Sequence, residues 1–461
     1  MPPQIYDFLQ KAIDQLRLKI SQGKKRILIV SPTGSGKTSL AAEIIRLASN
    51  KNKKVVFMAH REELVYQAHE RLSHFGVDAG IIMADHRYNG HHVHVASVQT
   101  LVRRDHPPAD IVFIDEVHHC TSVSYKKILS SYQSSLIIGL TATPFRSDGK
   151  PLGEVFEDVI VTASIQDLID KNFLVRPRYY GAKLDLHNID ITRGDYNNEQ
   201  LFEYFDNKVL YDGVVDKFKQ FGIGKTLIFC VNIQHSKNTC QSFLDAGYTA
   251  AHIDCDTDSQ DRKRILREFA EGKYQILSNV AVFTEGFNLP TIQTIILNRA
   301  TKSKGLWIQC VGRGLRTTEG KENCIVIDHG NNVYEHGPVE QEYEIDIHGK
   351  KKRKGVVVDT CNAKECPNCC SLVGTRTLIC PHCGHEFPPE KETKLVEAEF
   401  EELIFPKIVI PEHLRKRWSE MNDEELEEYR VLKNYKPGWC HYQRTLRKNK
   451  KSEVLNGTEN I

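Results

Sequence analysis

Long apolar runs are missing from this chain: no stretch approaches the roughly 20 residues of a membrane span, and the N-terminal residues show no charged-then-apolar leader pattern. A cytosolic protein is expected. An excess of one charge sign is missing too, since 62 Lys and Arg face 60 Asp and Glu. The resulting net charge of +2 gives no global pull on nucleic acid, so any basic surface has to be local. Thirteen cysteines in a chain of this kind read as reduced thiols, not as a disulfide framework. Those that are scattered (Cys120, Cys230, Cys240, Cys255, Cys310, Cys324 and Cys440) default to small core residues, whereas Cys361, Cys366, Cys369, Cys370, Cys380 and Cys383 crowd into one segment. At 461 residues the chain is too long for a single core, and two or three domains are expected.

What is present is rhythm. Up to about Ser164, short apolar runs (Val55–Met58, Val93–Ala96, Ile111–Ile114, Leu136–Leu140) alternate with helical patterns, and such runs read as parallel strands buried on both faces. The rhythm restarts with Thr226–Cys230, Tyr274–Ser278, Thr294–Leu297 and Cys324–Asp328. The expected class is α/β, with two doubly wound parallel-sheet lobes in tandem. Between them, Asp190 to Asn207 is polar and poorly periodic and reads as a linker with the entry to the second lobe.

The run Ile27-Leu28-Ile29-Val30 feeds directly into Ser31-Pro32-Thr33-Gly34-Ser35-Gly36-Lys37-Thr38 and then a helical pattern. A strand that ends in such a loop and opens a helix turns backbone N–H groups toward an anion, Lys37 adds a point charge, and Thr38 adds a hydroxyl for Mg²⁺. Ser31 stands where the usual pattern begins with Gly, at little cost because the tight turn rests on Gly34 and Gly36. Asp115-Glu116-Val117-His118 follows the Ile111–Ile114 strand at its carboxyl end, where open α/β sheets place ligands. Asp115 is suited to hold Mg²⁺ and Glu116 to take a proton from the attacking water. Thr141-Ala142-Thr143-Pro144 offers two hydroxyls near that position. Gln309, Arg313 and Arg316, spaced by four and three, are expected on one helical face of the second lobe, converging on phosphoryl oxygens.

In this order the motifs resemble those of the superfamily 2 helicases across roughly the first 330 residues. The resemblance implies two RecA-like lobes and an ATP-dependent DNA helicase or translocase, acting in DNA repair, replication or recombination. It places Gln10 as the adenine reader, with Thr33, Gly34, Ser35, Gly36, Lys37, Thr38, Asp115, Gly286 and Asn288 around the nucleotide. Arg61, Ser97, Gln99, Thr100, Thr284 and Glu285 line the nucleic-acid track by the same resemblance, with Asp254-Cys255-Asp256-Thr257 in a matching position. Asn288 stands where the family often has Asp, and Cys255 where it often has Gly. Thr141-Ala-Thr-Pro-Phe-Arg146 with Asp148-Gly149, and the Thr284-Glu285-Gly286 form, are closest to bacterial RadD-like and restriction-type (Res-like) helicases, which implies DNA in preference to RNA. A nucleic-acid-binding ATPase switch without strand separation, or an RNA helicase, would carry the same motifs.

Cys366-Pro-Asn-Cys369 and Cys380-Pro-His-Cys383 form the paired spacing of a four-cysteine zinc ribbon, with four soft thiolate ligands for Zn²⁺. Cys361 and Cys370 could substitute as ligands, and His382 and His385 read as bystanders. The basic block Lys350–Lys354 precedes this segment. In the tail, Tyr435 and Trp439 stand beside Arg444, Arg447 and Lys448; the commoner reading is that Trp439 plugs the tail onto the core. The organisation expected is 1–165 for the first lobe, 166–335 for the linker and second lobe, 336–395 for the basic linker and zinc ribbon, and 396–461 for a helical tail. ATP, Mg²⁺ and Zn²⁺ are the expected cofactors. Nucleic acid is the expected partner, with no membrane, and the zinc module or tail offers a surface for a protein.

Overall fold

The computed structural model describes residues 5–84, 86, 90–117, 120, 123–145, 151–181, 184–192, 194–206, 208–280, 282–283, 289–341, 345, 347, 363–365, 372–374, 385–386, 401–403, 410–416, 418–433, 435, 438–440 and 443–444. Apolar runs become the central strands of two seven-stranded sheets. The first contains β1 (Arg26–Val30), β2 (Val55–Ala59), β3 (Ala79–Ile82), β4 (Val93–Ser97), β5 (Ile111–Ile114), β6 (Leu136–Thr141) and β7 (Asp158–Val161), in the order β3-β4-β2-β5-β6-β1-β7 and parallel throughout. Helices cover both faces, so the central strands are buried on each side and need no polar alternation.

The chain then enters β8 (Arg176–Gly181) and a hairpin, β9 (Ile191–Thr192) with β10 (Asp195–Tyr196). It continues through β11 (Lys225–Cys230), β12 (Ala250–Ile253), β13 (Ile276–Asn279), β14 (Ile292–Asn298) and β15 (Asn323–Asp328). A short hairpin, β16 (Ala363–Glu365) with β17 (Leu372–Gly374), precedes β18 (Glu401–Leu403). The second sheet runs β12-β13-β11-β14-β15-β8-β18, parallel except for the antiparallel edge strand β18 on β8. Expected and observed strands coincide wherever the run is apolar. The short strands β3, β7, β8 and β12 lack such a run and escape a periodicity reading.

Residues 190–192 and 194–206 refine the expectation of a linker with the entry to the second lobe. The β9–β10 hairpin and the helix Asn198–Phe205 are an ordered attachment to the second lobe, in which Leu186, Ile189, Tyr196, Leu201 and Phe205 pack with Val231 and Ala300. Asn197 caps the helix by accepting from the N–H groups of Glu199 and Gln200 at 2.9 and 3.1 Å. A second unexpected route follows β15. The chain returns to the first lobe, where Ile347 is buried with Leu28, Val30 and Phe156, and the Gly153 N–H donates to the Ile347 carbonyl.

The chain forms two compact units, Met1–Leu403, which holds both lobes, and Ile404–Ile461. The second is built on the helix Asp423–Leu432, started by an Asn422–Glu425 capping box. Its small core contains Leu414, Met421, Leu426, Tyr429 and Cys440. Trp439 belongs to this core: its ring lies 5.0 to 5.9 Å from those of Tyr435, Trp418 and Tyr429. The tail's aromatics thus pack against one another within its own unit. Among the described residues no helix is long and apolar enough to cross a membrane.

Candidate nucleotide site and nucleic-acid track

Parallel register brings the carboxyl ends of β1, β6 and β5 side by side, so the loop after β1, the Thr141–Thr143 segment and the acidic pair share one edge. Ser31 earns its place in the loop. Its N–H donates to the Thr141 carbonyl at 2.9 Å, and its Oγ lies 2.7 Å from Ser35 Oγ and 3.0 Å from Thr162 Oγ1. Gly34 and Gly36 both adopt positive φ, +85° and +87°, where a side chain is strained. Gly36 is also the N-cap of the helix Lys37–Ser49, with no side-chain cap, so the N–H groups of its first turn are directed to an anion.

Lys37 Nζ lies 3.0 Å from Asp115 Oδ1 and is hydrogen-bonded to Glu116 Oε1. Burial by itself would lower the Lys37 pKa, but the two carboxylates outweigh it and hold the ammonium above its ordinary range. Burial raises the Asp115 carboxyl, opposed by Lys37 and reinforced by Glu116. Glu116 has φ +49°, a left-handed conformation costing about 1–2 kcal/mol for a residue with a side chain. Its N–H donates to Asp115 Oδ1 at 3.0 Å, which turns the two carboxyl groups toward the same lysine. An uncapped helix start, one ammonium and hard oxygen donors from Thr38, Asp115 and Glu116 fit a magnesium-bound polyphosphate. The Thr141 and Thr143 hydroxyls serve elsewhere than expected: Thr141 Oγ1 donates to the Thr143 carbonyl at 2.7 Å, and Thr143 Oγ1 accepts from the second lobe.

That second-lobe donor is Gln309 Nε2, at 3.3 Å. Its helix, Lys304–Gly312, begins at Ser303, whose Oγ accepts from the Leu306 N–H, and ends at Gly312. Arg313 is the C-cap and Arg316 lies beyond the helix, which corrects the expectation of one helical face. The reason is glycine: a Cβ on Gly314 would sit 2.3 Å from Cys324 Sγ, so the chain leaves the helix to pass close to β15. Arg316 pairs with Leu174 in an isolated antiparallel bridge, while the Val175 N–H donates to the Leu315 carbonyl at 2.8 Å. This extended segment places Arg316 beside the nucleotide loop, since a Cβ on Gly34 would meet Leu174 at 2.9 Å and Arg316 Cγ at 3.5 Å. A Cβ on Gly312 would meet the Thr33 side chain at 3.0 Å. Burial, with Arg313 close by, lowers the Arg316 pKa to about 9, so an arriving anion would relieve the charge there.

Gln10 lies exposed on the helix Asp7–Ser21 and donates to Asp14 Oδ1 at 3.1 Å, while its neighbour Leu9 packs toward Gly36. On the expected track, Ser97 Oγ donates to Gln99 Oε1 at 2.7 Å and Gln99 Nε2 donates to the His60 carbonyl, with Thr100 in the short turn Val98–Leu101. Arg61 crosses to the second lobe, donating to the Val282 carbonyl at 3.2 Å. Asp254 accepts from His252 at 2.8 Å and from Thr257 Oγ1 at 2.9 Å, so it shapes its own loop. His118, Thr284, Glu285, Gly286 and Asn288 lie outside the described residues, as do Cys361, Cys366, Cys369, Cys370, Cys380, Cys383 and His382. Among the described residues no group of three or more His, Cys, Asp or Glu could hold a metal ion. Sequence reading missed Asp195. From the β9–β10 hairpin it accepts from Thr301 Oγ1 and the Lys302 N–H, both at 2.6 Å, and so holds the approach to the Gln309 helix. The nearest signal is the polar turn around Gly194.

Comparison with known proteins follows the same division. Residues 4–146 match the type III restriction enzyme, res subunit family (ResIII), and residues 209–318 match the helicase conserved C-terminal domain. A 51.5 kDa protein of a Lactococcus phage (isolate 7-9) is 29% identical over 379 residues, covering 81% of each chain. The Saccharomyces cerevisiae protein IRC3, assigned by name as an ATP-dependent helicase, is 32% identical over 353 residues, 71% of this chain. This chain spans about half of the yeast protein, 51% of its length. Among solved structures, the ATP-dependent type ISP restriction-modification enzyme LlaBIII bound to DNA superposes with a TM-score of 0.53 at 15% identity, over 71% of this chain and 28% of that one. With two RecA-like lobes carrying these motifs in order, the chain has the ResIII and helicase C-terminal domains of a superfamily 2 ATP-dependent helicase or translocase, an ATP hydrolase acting on nucleic acid.

Proposed function

We propose that this protein couples ATP hydrolysis to movement along, or opening of, DNA. The observation that carries the reading is the meeting of both lobes at one sheet edge: Lys37, Asp115, Glu116 and Thr143 from the first, Arg316 beside Gly34 and Gln309 on Thr143 from the second. Lys37 and Thr38 bind the phosphates, Asp115 holds Mg²⁺ and Glu116 accepts the proton of the attacking water. Arg313 and Arg316 complete the site, with Gln309 fixing the lobes against one another. Bound Mg²⁺ would neutralise charge on the β- and γ-phosphate oxygens. Because Arg61 and Gln309 each reach a partner on the opposite lobe, nucleotide-driven closure changes the grip of Arg61, Ser97, Gln99 and Thr100 against Thr284 and Glu285. The ResIII match and the DNA complex of LlaBIII support DNA as the track. The process served is one of DNA repair, replication or recombination.

Turnover is measured without nucleic acid and with single-stranded, duplex and forked DNA and RNA, using Lys37→Ala as the blank. Stimulation by one DNA form is the expected result. Selective stimulation by RNA would replace the DNA reading, and a rate indifferent to all would replace the motor with an ATP switch. Cys366, Cys369, Cys380 and Cys383 are proposed as a structural Zn²⁺ site, on their paired spacing. Elemental analysis should find one zinc per chain, lost in the Cys366→Ser, Cys380→Ser double variant; zinc-free wild-type protein would overturn it.

A further inference from the structure

Lys321 is buried, 8% exposed, in the second lobe just before β15, and none of the motifs includes it. Its ammonium lies 2.6 Å from the Gly314 carbonyl, 2.9 Å from that of Arg316 and 3.1 Å from that of Pro290. An ammonium has three N–H donors and these are three acceptors, so its hydrogen-bonding capacity is matched by backbone alone. A buried cation held by carbonyls is costly to keep unless the arrangement is needed, because carbonyl dipoles replace water only when correctly aimed. The acceptors are not arbitrary. Gly314 and Arg316 bracket the turn by which the arginine segment leaves the helix, and Pro290 ends the Thr284–Pro290 motif of the nucleic-acid track. On its other side the Arg316 backbone is bridged to Leu174, which itself touches the nucleotide loop. The turn Thr318–Lys321, closed by the Lys321 N–H on the Thr318 carbonyl at 3.1 Å, delivers the side chain back under this segment.

We propose that Lys321 is a positioning residue of the ATPase: its ammonium clamps the Gly314, Arg316 and Pro290 carbonyls, sets where Arg316 lies, and ties it mechanically to the segment ending at Pro290. The inference rests on the function proposed above. Its consequence is that a change at the nucleic-acid segment reaches Arg316 through a single side chain, with Lys321 touching neither ATP nor nucleic acid.

The test is steady-state ATP turnover of the full chain with its best-stimulating nucleic acid, in wild type, Lys321→Met, Lys321→Arg, Arg316→Ala and the Arg316→Ala, Lys321→Met double variant. Lys321→Met should lower kcat by about 100-fold, the scale of an ångström misplacement, with KM for ATP within about twofold. On the Arg316→Ala background the same change should add less than about twofold, because a residue that acts through another has nothing left to act on. Lys321→Arg, which keeps donors and charge, should recover part of kcat. An unchanged kcat in Lys321→Met, a loss confined to KM, or full multiplicative loss on the Arg316→Ala background would each overturn the proposal. Thermal denaturation checks folding; should Lys321→Met not fold, the Lys321→Arg cycle with Arg316→Ala measures the same coupling, and additive losses there would overturn the proposal equally. Wild-type turnover no higher than that of Lys37→Ala would instead overturn the functional reading and this inference with it.

Discussion

The two lobes bring charge to the shared edge by opposite means. In the first, Lys37, Asp115 and Glu116 sit at the ends of buried parallel strands and a helix start, and they pair with one another. Their positions follow from sheet register, which many backbone hydrogen bonds enforce at once. In the second, Arg316 lies outside any helix, on a segment passing Gly312 and Gly314, and is placed by close backbone approach, a two-residue bridge and the Lys321 clamp. The difference teaches that the first-lobe half is a rigid assembly whose variants lose chemistry. The second-lobe half is an adjustable one, whose variants lose placement as readily as charge.

Arg316→Ala breaks the comparison most severely. If Arg316 has the proposed role of stabilising charge on the transferred phosphoryl group, its removal should cost about 10³-fold in kcat, some 4 kcal/mol, while ATP binding measured by a fluorescent analogue stays within a few-fold. An unchanged kcat would remove the second lobe from the chemistry. Glu116→Gln should cost about 10²-fold or more in kcat and likewise retain nucleotide; wild-type turnover in that variant would take the proton-transfer role away from Glu116. Ile347→Ala probes the return of the chain to the first lobe. Truncating this side chain, 5% exposed, should lower unfolding stability by about 2 kcal/mol in urea titrations, and a midpoint equal to wild type would mean the contact adds nothing.

Gly312→Val sharpens the contrast, because the new Cβ meets Thr33 at 3.0 Å across the lobes. It should reduce kcat by about tenfold with folding stability nearly intact, whereas equal loss in stability would make Gly312 an ordinary helix residue. The smallest effect belongs to Asp158→Asn. The Asp158 carboxylate pairs with Lys19 at 2.6 Å between the first helix and β7. Burial raises its pKa most, but the Lys19 hydrogen bond, the Val159 N–H and the charges of Lys19 and Lys24 together outweigh it, and the net shift is downward. A depressed carboxyl contributes stability above its unfolded pKa and loses it as pH falls through the folded value, so wild type and variant should differ by about 0.5–1 kcal/mol at neutral pH and converge in acid. A difference that does not shrink as the pH is lowered through the carboxylate range would assign the effect to something other than this pair.

Much of the first-lobe site was legible because its chemistry is local. The loop, its helix and the acidic pair are contiguous stretches, and their strands are apolar on both faces, so residue type and position along the chain coincide. The arginine segment was legible in residue type but not in conformation: spacing alone cannot show that Gly314 is pressed against Cys324 and that the helix has already ended. Asp195 and Lys321 were illegible, since a lone aspartate in a polar stretch and a lone lysine after a turn look like solvated surface until the backbone they serve is seen.

The sequence by itself therefore determined the α/β class, the two-lobe rhythm and which loop and acidic residues meet at the sheet edge, because these depend on periodicity and short-range spacing. Only the tertiary structure decided that Arg316 arrives by an extended bridge, that residues 194–206 form a packed attachment, that Trp439 packs in the tail's own core, and that the chain revisits the first lobe at Ile347. The bridge, the attachment and the return at Ile347 join residues remote in sequence through backbone carbonyls, glycine clearances or apolar burial, and such contacts leave no pattern along the chain.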